Sequence, residues 1–167
     1  MTQPAPLLTS RLQLVPLADP HLPELQGLCS PSLAPPHAEP ATLQQLQQHV
    51  AHARDHWATW GIGSVAMLHG GKAIGMITLL INPLHEWQMG WAVLPGYQGR
   101  GFAREAAAAL MRHAGRHAAL WPLTAYVLRA NLRSTRLAQS LGFRAVAQRV
   151  IDGELSIRYV CEVMNSP

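Results

Sequence analysis

The sequence contains few cysteines, few aromatic residues and no long apolar run, and each shortage excludes a class of protein. Its 167 residues include two cysteines, Cys29 and Cys161, which lack the spacing of a metal site and suit a reducing cytoplasm. Aromatic residues make up only 6% of the chain, and no nucleic-acid-binding motif accompanies the scattered basic residues. The longest apolar runs are too short to span a bilayer. We therefore expect no metal, no nucleic acid partner and no membrane insertion.

The composition that remains is that of a folded, slightly basic domain. Apolar residues account for 49% of the chain, which excludes intrinsic disorder, and 167 residues suffice for one core but are short for two. We therefore assign residues 1–167 to a single domain. The formal charge of +4 suits a polyanionic ligand. The opening segment, MTQPAPLLTS, shows neither the basic region nor the apolar core of a signal peptide, and we expect a cytoplasmic protein.

One stretch, residues 91–109, combines a strand end, a glycine-rich turn and the start of a helix. Pro95 and Gly96 end an apolar strand, and an alanine-rich segment of high helix propensity follows Gly101. The first N–H groups of such a helix lack partners, and with the positive end of the helix dipole they form a site for phosphate oxygens. Gly99 and Gly101 keep Cβ atoms out of the way of an anion. A helix that merely begins after a tight turn would show the same two glycines.

Hydrophobic alternation and turn signals predict the remaining elements. Strands are predicted at residues 11–16, 64–69, 72–82, 86–93, 123–128, 145–151 and 154–163, with tight hairpins at Gly70–Gly71 and Asp152–Gly153. Helices are predicted at residues 19–28, from a capping box at Thr42 and Gln45 to Gly61, from the glycine-rich turn to about residue 116, and at 131–141. Residues 1–8 are expected to fray, and residues 30–40 to form an irregular loop. This order predicts an α/β mixed sheet with helices on both faces.

At the glycine-rich turn the sequence resembles the acetyl-CoA-dependent N-acetyltransferases of the GNAT superfamily. Their phosphate loop has Gln or Arg, two variable residues, Gly, one variable residue, and then Gly or Ala, which residues 98–103 match as Gln-Gly-Arg-Gly-Phe-Ala. Three further segments resemble the branch that includes the RimJ and RimL ribosomal-protein N-terminal acetyltransferases: Thr9-Ser10-Arg11-Leu12, Arg104-Glu105-Ala106, and Asn131-Leu132-Arg133-Ser134 followed by Leu137 and Leu141-Gly142-Phe143. The likeness covers most of the chain.

The resemblance implies the GNAT fold, a mixed sheet of about seven strands in which one pair splays apart to admit acetyl-CoA. Backbone amides of the phosphate loop would hold the pyrophosphate, and this loop comprises Gln98, Gly99, Arg100, Gly101, Phe102 and Ala103. The backbone of Val93 would bind the pantetheine arm. Asn131 would contact the same arm through its side chain, although its place at a helix start indicates an N-cap when the resemblance is set aside.

The resemblance also supplies candidates for catalysis. Many relatives carry a tyrosine acid where this chain has Ala138, which shifts that role to Ser134, near the sulfur of the leaving thiolate, or to solvent. Glu86 is the predicted general base, acting through a water, because it is the only carboxylate on the strand that faces the presumed cleft. A solvated strand-end carboxylate is the alternative interpretation of Glu86, and His85 beside it is an alternative base.

Two other patterns indicate structure and not chemistry. His52 with His56, and His113 with His117, have the i,i+4 spacing of zinc ligands but no third ligand, so solvated helix faces are predicted. Core packing is predicted for most of the four tryptophans that would otherwise line an acceptor pocket, Trp57, Trp60, Trp87 and Trp91.

Together these features predict an N-acetyltransferase that transfers an acetyl group from acetyl-CoA to a primary amine by direct attack in a ternary complex. A protein N-terminus, an amino acid, a polyamine or an antibiotic fits as the acceptor, and a monomer or a homodimer is expected. The alternative is an acyl-CoA-binding regulatory or sensor module without turnover, because the tyrosine acid is absent and Glu86 is one of several candidate bases.

Overall fold

A computed structural model describes residues 4–33 and 40–162, which fold around one mixed sheet of eight strands. The strands are β1 (Leu7–Leu8), β2 (Gln13–Pro16), β3 (Val65–His69), β4 (Lys72–Ile81), β5 (Trp87–Val93), β6 (Leu123–Leu128), β7 (Arg144–Ile151) and β8 (Glu154–Cys161). The α-helices of this part of the chain are α1 (Leu22–Leu25), α2 (Leu43–Trp60), α3 (Phe102–Ala114) and α4 (Leu132–Ser140), with short 3-10 turns between elements. The predicted mixed α/β sheet is confirmed, with eight strands in place of about seven.

Neighbouring strands run antiparallel except at one junction, between β5 and β6. The strand order is β1-β2-β3-β4-β5-β6-β8-β7. At the parallel junction, Trp87 lies opposite Leu123 and Gln88 lies opposite Thr124, and the pairing goes no further. Beyond Gln88 the two strands therefore diverge. We call the resulting opening between the later parts of β5 and β6 the fork.

Alternating side chains of the sheet are buried against helices on both faces. On β3, Val65 and Met67 join a core that contains residues of α3 and α4, whereas Ala66 joins a second core that contains residues of α1 and α2. The predicted face of β5 is confirmed, because one core accommodates all four of its members, Trp87, Met89, Trp91 and Val93. Both faces of the central strands are thus covered, which holds the fork between two packed layers.

The helix signals in the sequence are confirmed at α2 and α4. The Thr42 hydroxyl accepts a hydrogen bond from the Gln45 N–H at 3.1 Å, and the Gln45 side chain accepts one from the Thr42 N–H at 2.8 Å, which forms the predicted capping box. Gly61 ends α2 in the left-handed conformation, with a φ of 67°. Gly142, with a φ of 90°, follows α4 in the same way.

Several local expectations differ from the structure. Leu7–Leu8 pairs with β2, so the expectation that residues 1–8 fray is wrong for these two residues. The predicted helix at residues 19–28 consists of α1 between two 3-10 turns, because Pro20 and Pro23 lack the N–H donors that a continuous α-helix needs. The predicted loop at 30–40 begins with a 3-10 turn at Pro31–Leu33, and its residues 34–39 lie outside the described residues. The last predicted strand ends at Cys161, and residue 163 lies outside the described residues.

Candidate active site

The fork opens into a cavity of about 750 Å³. Its walls include two segments that lie far apart in the sequence, the phosphate loop with the start of α3, and the start of α4. The ends of β5 and β6 and the segment that holds Leu28, Ser32 and Leu33 complete the lining. The predicted site residues that line it are Val93, Gln98, Gly99, Gly101, Phe102, Ala103, Asn131 and Ser134. Arg100 and Glu86 are not part of this lining. The structure thus gathers nearly all of the predicted cofactor residues around one cavity.

The phosphate loop turns by means of two glycines in the left-handed conformation. Gly99 and Gly101 have φ values of 73° and 79°, which other residues rarely adopt. Gly101 is the N-cap of α3 and forms no side-chain cap. The first N–H groups of α3 therefore have no partner within the helix, while Phe102 and Ala103 line the cavity. This set of donors, at the positive end of a helix dipole, fits the oxygens of a pyrophosphate.

Arg11, just before β2, contacts the phosphate loop. Its Nη1 donates a hydrogen bond to the carbonyl of Arg100 at 2.9 Å, and its guanidinium lies 4.4 Å from the centre of the Phe102 ring. A Cβ on Gly101 would lie 3.4 Å from Arg11 Nη2, close to van der Waals contact with this guanidinium. The side chain of Arg100 lies over the same aromatic ring, at 5.1 Å. These contacts support the loop from its flank and leave its amides available.

Glu105, in the first turn of α3, holds Arg11 in place. Its Oε2 accepts a hydrogen bond from Arg11 Nε at 2.7 Å, and its Oε1 accepts from the Thr9 hydroxyl at 2.6 Å and from the Arg11 N–H at 2.9 Å. Burial raises the pKa of this carboxyl, but the hydrogen bonds and the charge of Arg11 outweigh burial and lower the pKa to about 2. The segments Thr9-Ser10-Arg11-Leu12 and Arg104-Glu105-Ala106, which both resemble the RimJ and RimL branch, are therefore in contact through the ionised carboxylate of Glu105.

Asn131 and Ser134 form part of the cavity wall at the start of α4. The Oδ1 of Asn131 accepts a hydrogen bond from the Ser134 N–H at 3.0 Å, which confirms the N-cap. The Ser134 hydroxyl accepts a hydrogen bond from Nε1 of Trp91 at 3.2 Å. Ala138, one turn further along α4, is buried in the core. This part of α4 therefore contributes Ser134, and no tyrosine, to the cavity wall.

Gln98 connects the end of β5 with α4. Its Nε2 donates a hydrogen bond to the carbonyl of Val93 at 3.1 Å, and its Oε1 accepts one from Nη1 of Arg133 at 2.7 Å. The contact between Gln98 and Arg133 joins the two motifs that the sequence places 35 residues apart. The backbone of Val93 is expected to bind the pantetheine arm, and its carbonyl already has a protein partner in this structure.

Glu86 lies directly before β5, within a polar network outside the cavity lining. Its Oε1 accepts hydrogen bonds from the Arg158 guanidinium, through Nε at 3.0 Å and through Nη2. Its Oε2 accepts from Asn82 Nδ2 at 3.0 Å and from the Tyr126 hydroxyl at 2.9 Å. Burial raises the pKa of Glu86, but these three partners outweigh burial and hold the pKa below its ordinary value. A carboxylate with both oxygens engaged and a lowered pKa is a weak proton acceptor.

The partners of Glu86 carry no signal in the sequence. Tyr126 and Arg158 lie directly opposite each other on β6 and β8, a pairing that only the register of the sheet establishes. His85, the alternative base, is exposed in the turn before β5, with a φ of 60°, and it is not part of the cavity lining. Neither predicted base therefore reaches the cavity wall that holds Ser134.

The expectation of solvated histidine faces is wrong for His56. Its Nε2 lies 3.3 Å from the N–H of Ile81 and accepts from it, which leaves Nδ1 to donate to the carbonyl of Ile62 at 3.0 Å. This neutral ring joins the end of α2 to β4, and burial lowers its pKa. Within residues 4–33 and 40–162, no group of three or more His, Cys, Asp or Glu side chains is arranged to hold a metal ion. None of the helices in these two ranges combines the length and the apolarity that crossing a membrane requires.

Comparisons with a family profile and with solved structures show which proteins this chain resembles. The sequence profile of the acetyltransferase (GNAT) domain matches residues 11–144. An acetyltransferase from Agrobacterium tumefaciens is 31% identical with a TM-score of 0.79, over 95% of this chain and 96% of that one. A protein from Bordetella pertussis assigned to the GNAT-family acetyltransferases is 25% identical with a TM-score of 0.82, over 94% and 99%. A RimL ribosomal L7/L12 α-N-protein acetyltransferase is 17% identical with a TM-score of 0.76, over 95% and 94%, which is a likeness of fold.

Proposed function

Because this chain belongs to the GNAT acetyltransferase family, we propose that it transfers the acetyl group of acetyl-CoA to a primary amine. The observation that carries the proposal is the cavity at the fork, where the phosphate loop and the start of α4 meet. The sequence singles out both segments by separate motifs, and the fold brings them to one place. A site for anions beside a hydroxyl-bearing wall suits a long ligand that carries both a pyrophosphate and a thioester.

The donors around the cavity match the chemistry of acetyl-CoA. The unpaired amides at the start of α3, beside Gly99 and Gly101, would hold the pyrophosphate. Arg104 lines the same cavity and would add positive charge. The backbone of Val93 would bind the pantetheine amides once the side chain of Gln98 releases its carbonyl. Asn131 would contact the same arm while it caps α4.

The reaction needs no covalent intermediate on the enzyme, because acetyl-CoA supplies an activated thioester. A neutral amine attacks the carbonyl carbon, a C–N bond forms and the C–S bond breaks. The nitrogen loses one proton and the sulfur gains one. Ser134 lines the cavity, and its hydroxyl would stabilise the charge that develops on sulfur, an interaction that strengthens in the transition state.

The reaction also needs a route for the proton that leaves the amine. Glu86 is the base that the sequence predicts, acting through a water. Its contacts with Arg158, Tyr126 and Asn82 suit a residue that orders the sheet surface beside the fork better than one that removes a proton. An acceptor amine that reaches the site uncharged would need only water to carry the proton away.

Release of free thiol from acetyl-CoA, measured across a panel of amines, tests the proposal. The panel includes a peptide with a free N-terminus, spermidine, a free amino acid and an aminoglycoside. The peptide is the first choice, because the RimL protein of similar fold is described as an α-N-protein acetyltransferase. We expect thiol release that requires one of these amines, and mass spectrometry should find that amine heavier by one acetyl group.

The alternative, an acyl-CoA-binding regulatory module, predicts a different pair of results. Such a module would bind acetyl-CoA in calorimetry and release no thiol with any amine. The absence of the tyrosine acid, with Ala138 buried in its place, is the observation that favours it. A protein that neither binds acetyl-CoA nor releases thiol would contradict both functions.

A further inference from the structure

We infer that Trp91 is a positioning residue that directs the Ser134 hydroxyl toward the leaving thiol, an inference that rests on the proposed function. The indole Nε1 of Trp91 lies 3.2 Å from Ser134 Oγ, and both residues line the cavity. The two residues are 43 positions apart in the sequence and lie on different sides of the fork, on β5 and on α4. The contact therefore forms inside the site and not within one element.

The position of Trp91 is fixed by its surroundings. It pairs with Ile77 in the middle of the antiparallel ladder between β4 and β5. Its side chain packs against the core that contains residues of α3 and α4. Ser134 is also held in place, because its N–H donates a hydrogen bond to the Asn131 side chain. A donor on a rigid strand and an acceptor on a capped helix start meet with little freedom on either side.

The direction of the hydrogen bond determines what the hydroxyl can do. An indole N–H only donates, so Ser134 Oγ must accept and its own hydrogen remains available. A helical serine commonly donates that hydrogen back to a carbonyl of the preceding turn. Among the residues that the structure describes, none accepts a hydrogen bond from the Ser134 hydroxyl. The bond from Trp91 therefore occupies a lone pair, polarises the O–H group and leaves its hydrogen for the cavity.

In the competing interpretation, the contact only satisfies the hydrogen-bonding need of the Trp91 indole. A partly buried indole usually needs a hydrogen-bond partner, and a serine oxygen would serve that purpose without any catalytic meaning. The two interpretations differ in whether loss of the indole N–H affects the reaction through Ser134. A double-mutant cycle measures this coupling directly.

The cycle uses Trp91→Phe, which keeps an aromatic ring and removes the N–H, together with Ser134→Ala. We expect Trp91→Phe to lower kcat about three- to tenfold, with the KM for acetyl-CoA changed less than about twofold. In the Ser134→Ala protein the same change should have no further effect on kcat. Equal losses in both backgrounds would show that Trp91 acts independently of Ser134 and would overturn the inference. Unchanged kcat in Trp91→Phe alone would overturn it as well.

Trp57→Phe is the matched control. Its indole N–H also bonds to a fixed oxygen, the carbonyl of Ser64, at 2.7 Å, but it does not line the cavity. Loss of that bond should lower the melting temperature and leave kcat unchanged. A fall in kcat of similar size in Trp57→Phe would mean that any lost indole bond slows the enzyme through stability, and the assignment to Trp91 would fail.

A readout that does not depend on turnover separates this inference from the proposed function. The chain has five tryptophans, so the indole N–H region of an NMR spectrum should contain five signals. The signal missing from Trp91→Phe should shift in Ser134→Ala, and an unshifted signal would show that the contact is absent. If the signal shifts but no amine supports thiol release, the proposed function fails and the role of Trp91 fails with it, although the contact stands.

Discussion

The side chains of Arg11 and Glu105 form an ion pair of 2.7 Å across 94 residues of sequence, beside the phosphate loop. The same guanidinium donates to the carbonyl of Arg100. In a trans peptide the N–H of the next residue points opposite to that carbonyl, so Arg11 directs the N–H of Gly101 away from itself. The N-terminal segment thereby helps to set the orientation of an amide in the loop.

Glu105→Gln should lower the stability of the protein at neutral pH. Its carboxyl has a pKa of about 2 in the folded chain, against an ordinary value of 4.5. A pKa lowered by folding contributes stability that is present above the unfolded value and lost as the pH falls toward the folded one. The contribution is on the order of 1–3 kcal/mol, allowing for the solvent that screens the half-exposed Arg11. Urea unfolding between pH 7 and pH 2 should show the two proteins converging at the acid end.

Glu162→Gln provides the comparison for that experiment. Glu162 forms an ion pair with Arg144 at 3.5 Å, but both side chains are about 70% exposed. Exposed pairs contribute little, so this change should leave stability nearly constant at every pH. An equal and pH-independent effect of both substitutions would show that the Arg11–Glu105 pair has no special role.

Gly101→Ala should weaken acetyl-CoA binding, and Gly153→Ala should not. Both glycines have a φ of 79°, so a Cβ imposes similar backbone strain at each, on the order of 1 kcal/mol. Only at Gly101 would the new atom meet Arg11, and only Gly101 lies in the phosphate loop. Calorimetric titration with acetyl-CoA, together with melting temperatures, separates the two effects. Equal affinities in the two variants would remove the main support for the phosphate loop.

Ser134→Ala should lower kcat by on the order of ten- to a thousandfold, with little change in acetyl-CoA affinity, because the lost donor acts mainly in the transition state. Ser140→Ala, in the same helix, is the control. The Ser140 hydroxyl donates to the carbonyl of Leu137 at 2.8 Å, and Ser140 does not line the cavity. Full turnover of Ser134→Ala on its acceptor would mean that solvent protonates the thiolate.

Asn131→Ala should mainly weaken acetyl-CoA binding, whereas Ser134→Ala should mainly lower kcat. The lost N-cap should cost about 1 kcal/mol of stability, and the lost amide should weaken acetyl-CoA binding while kcat at saturation changes less. Thr42→Ala removes the cap of α2, which lies away from the cavity, and should affect stability alone. If both variants lose stability and neither loses affinity, Asn131 is a cap and nothing more.

Glu86→Gln tests the predicted base. If Glu86 removes the proton, turnover should fall at neutral pH and recover at alkaline pH, where the free amine predominates. Its lowered pKa and its three partners lead us to expect the other result, a pH–rate profile of unchanged shape. We also expect a loss of stability that diminishes at acid pH, where the wild-type Glu86 is protonated and therefore uncharged, as glutamine is. Alkaline recovery of turnover would restore Glu86 as the base and refute this expectation.

The parts of the site that the sequence predicts are those with local signals. The phosphate loop and the cap at Asn131 each lie within a few consecutive residues, so spacing and residue type suffice to find them. The contact between Trp91 and Ser134 depends on how β5 and α4 meet, and the network around Glu86 depends on the register of β6 with β8. No periodicity within one segment encodes such pairings.

The strand at Leu7–Leu8 is a part of the fold that local sequence patterns likewise fail to predict. Two residues are too few for an alternating pattern, and only their pairing with β2 defines the strand. The divergence of β5 from β6 likewise carries no mark in either strand, since both strands are mostly apolar along their whole length. The resemblance to a family predicts that divergence, and the residues alone do not.

The short junction between β5 and β6 bears on how long this protein would survive in a cell. Among the described residues, the five strands before it and the three after it are joined within the sheet by two residue pairs. A ligand in the fork would touch both groups and bind only the folded chain, which adds about 2.7 kcal/mol at a hundredfold excess over its Kd. Proteases attack chains that have opened. If acetyl-CoA is that ligand, as proposed, a fall in its concentration would therefore shorten the lifetime of the protein as well as slow its reaction.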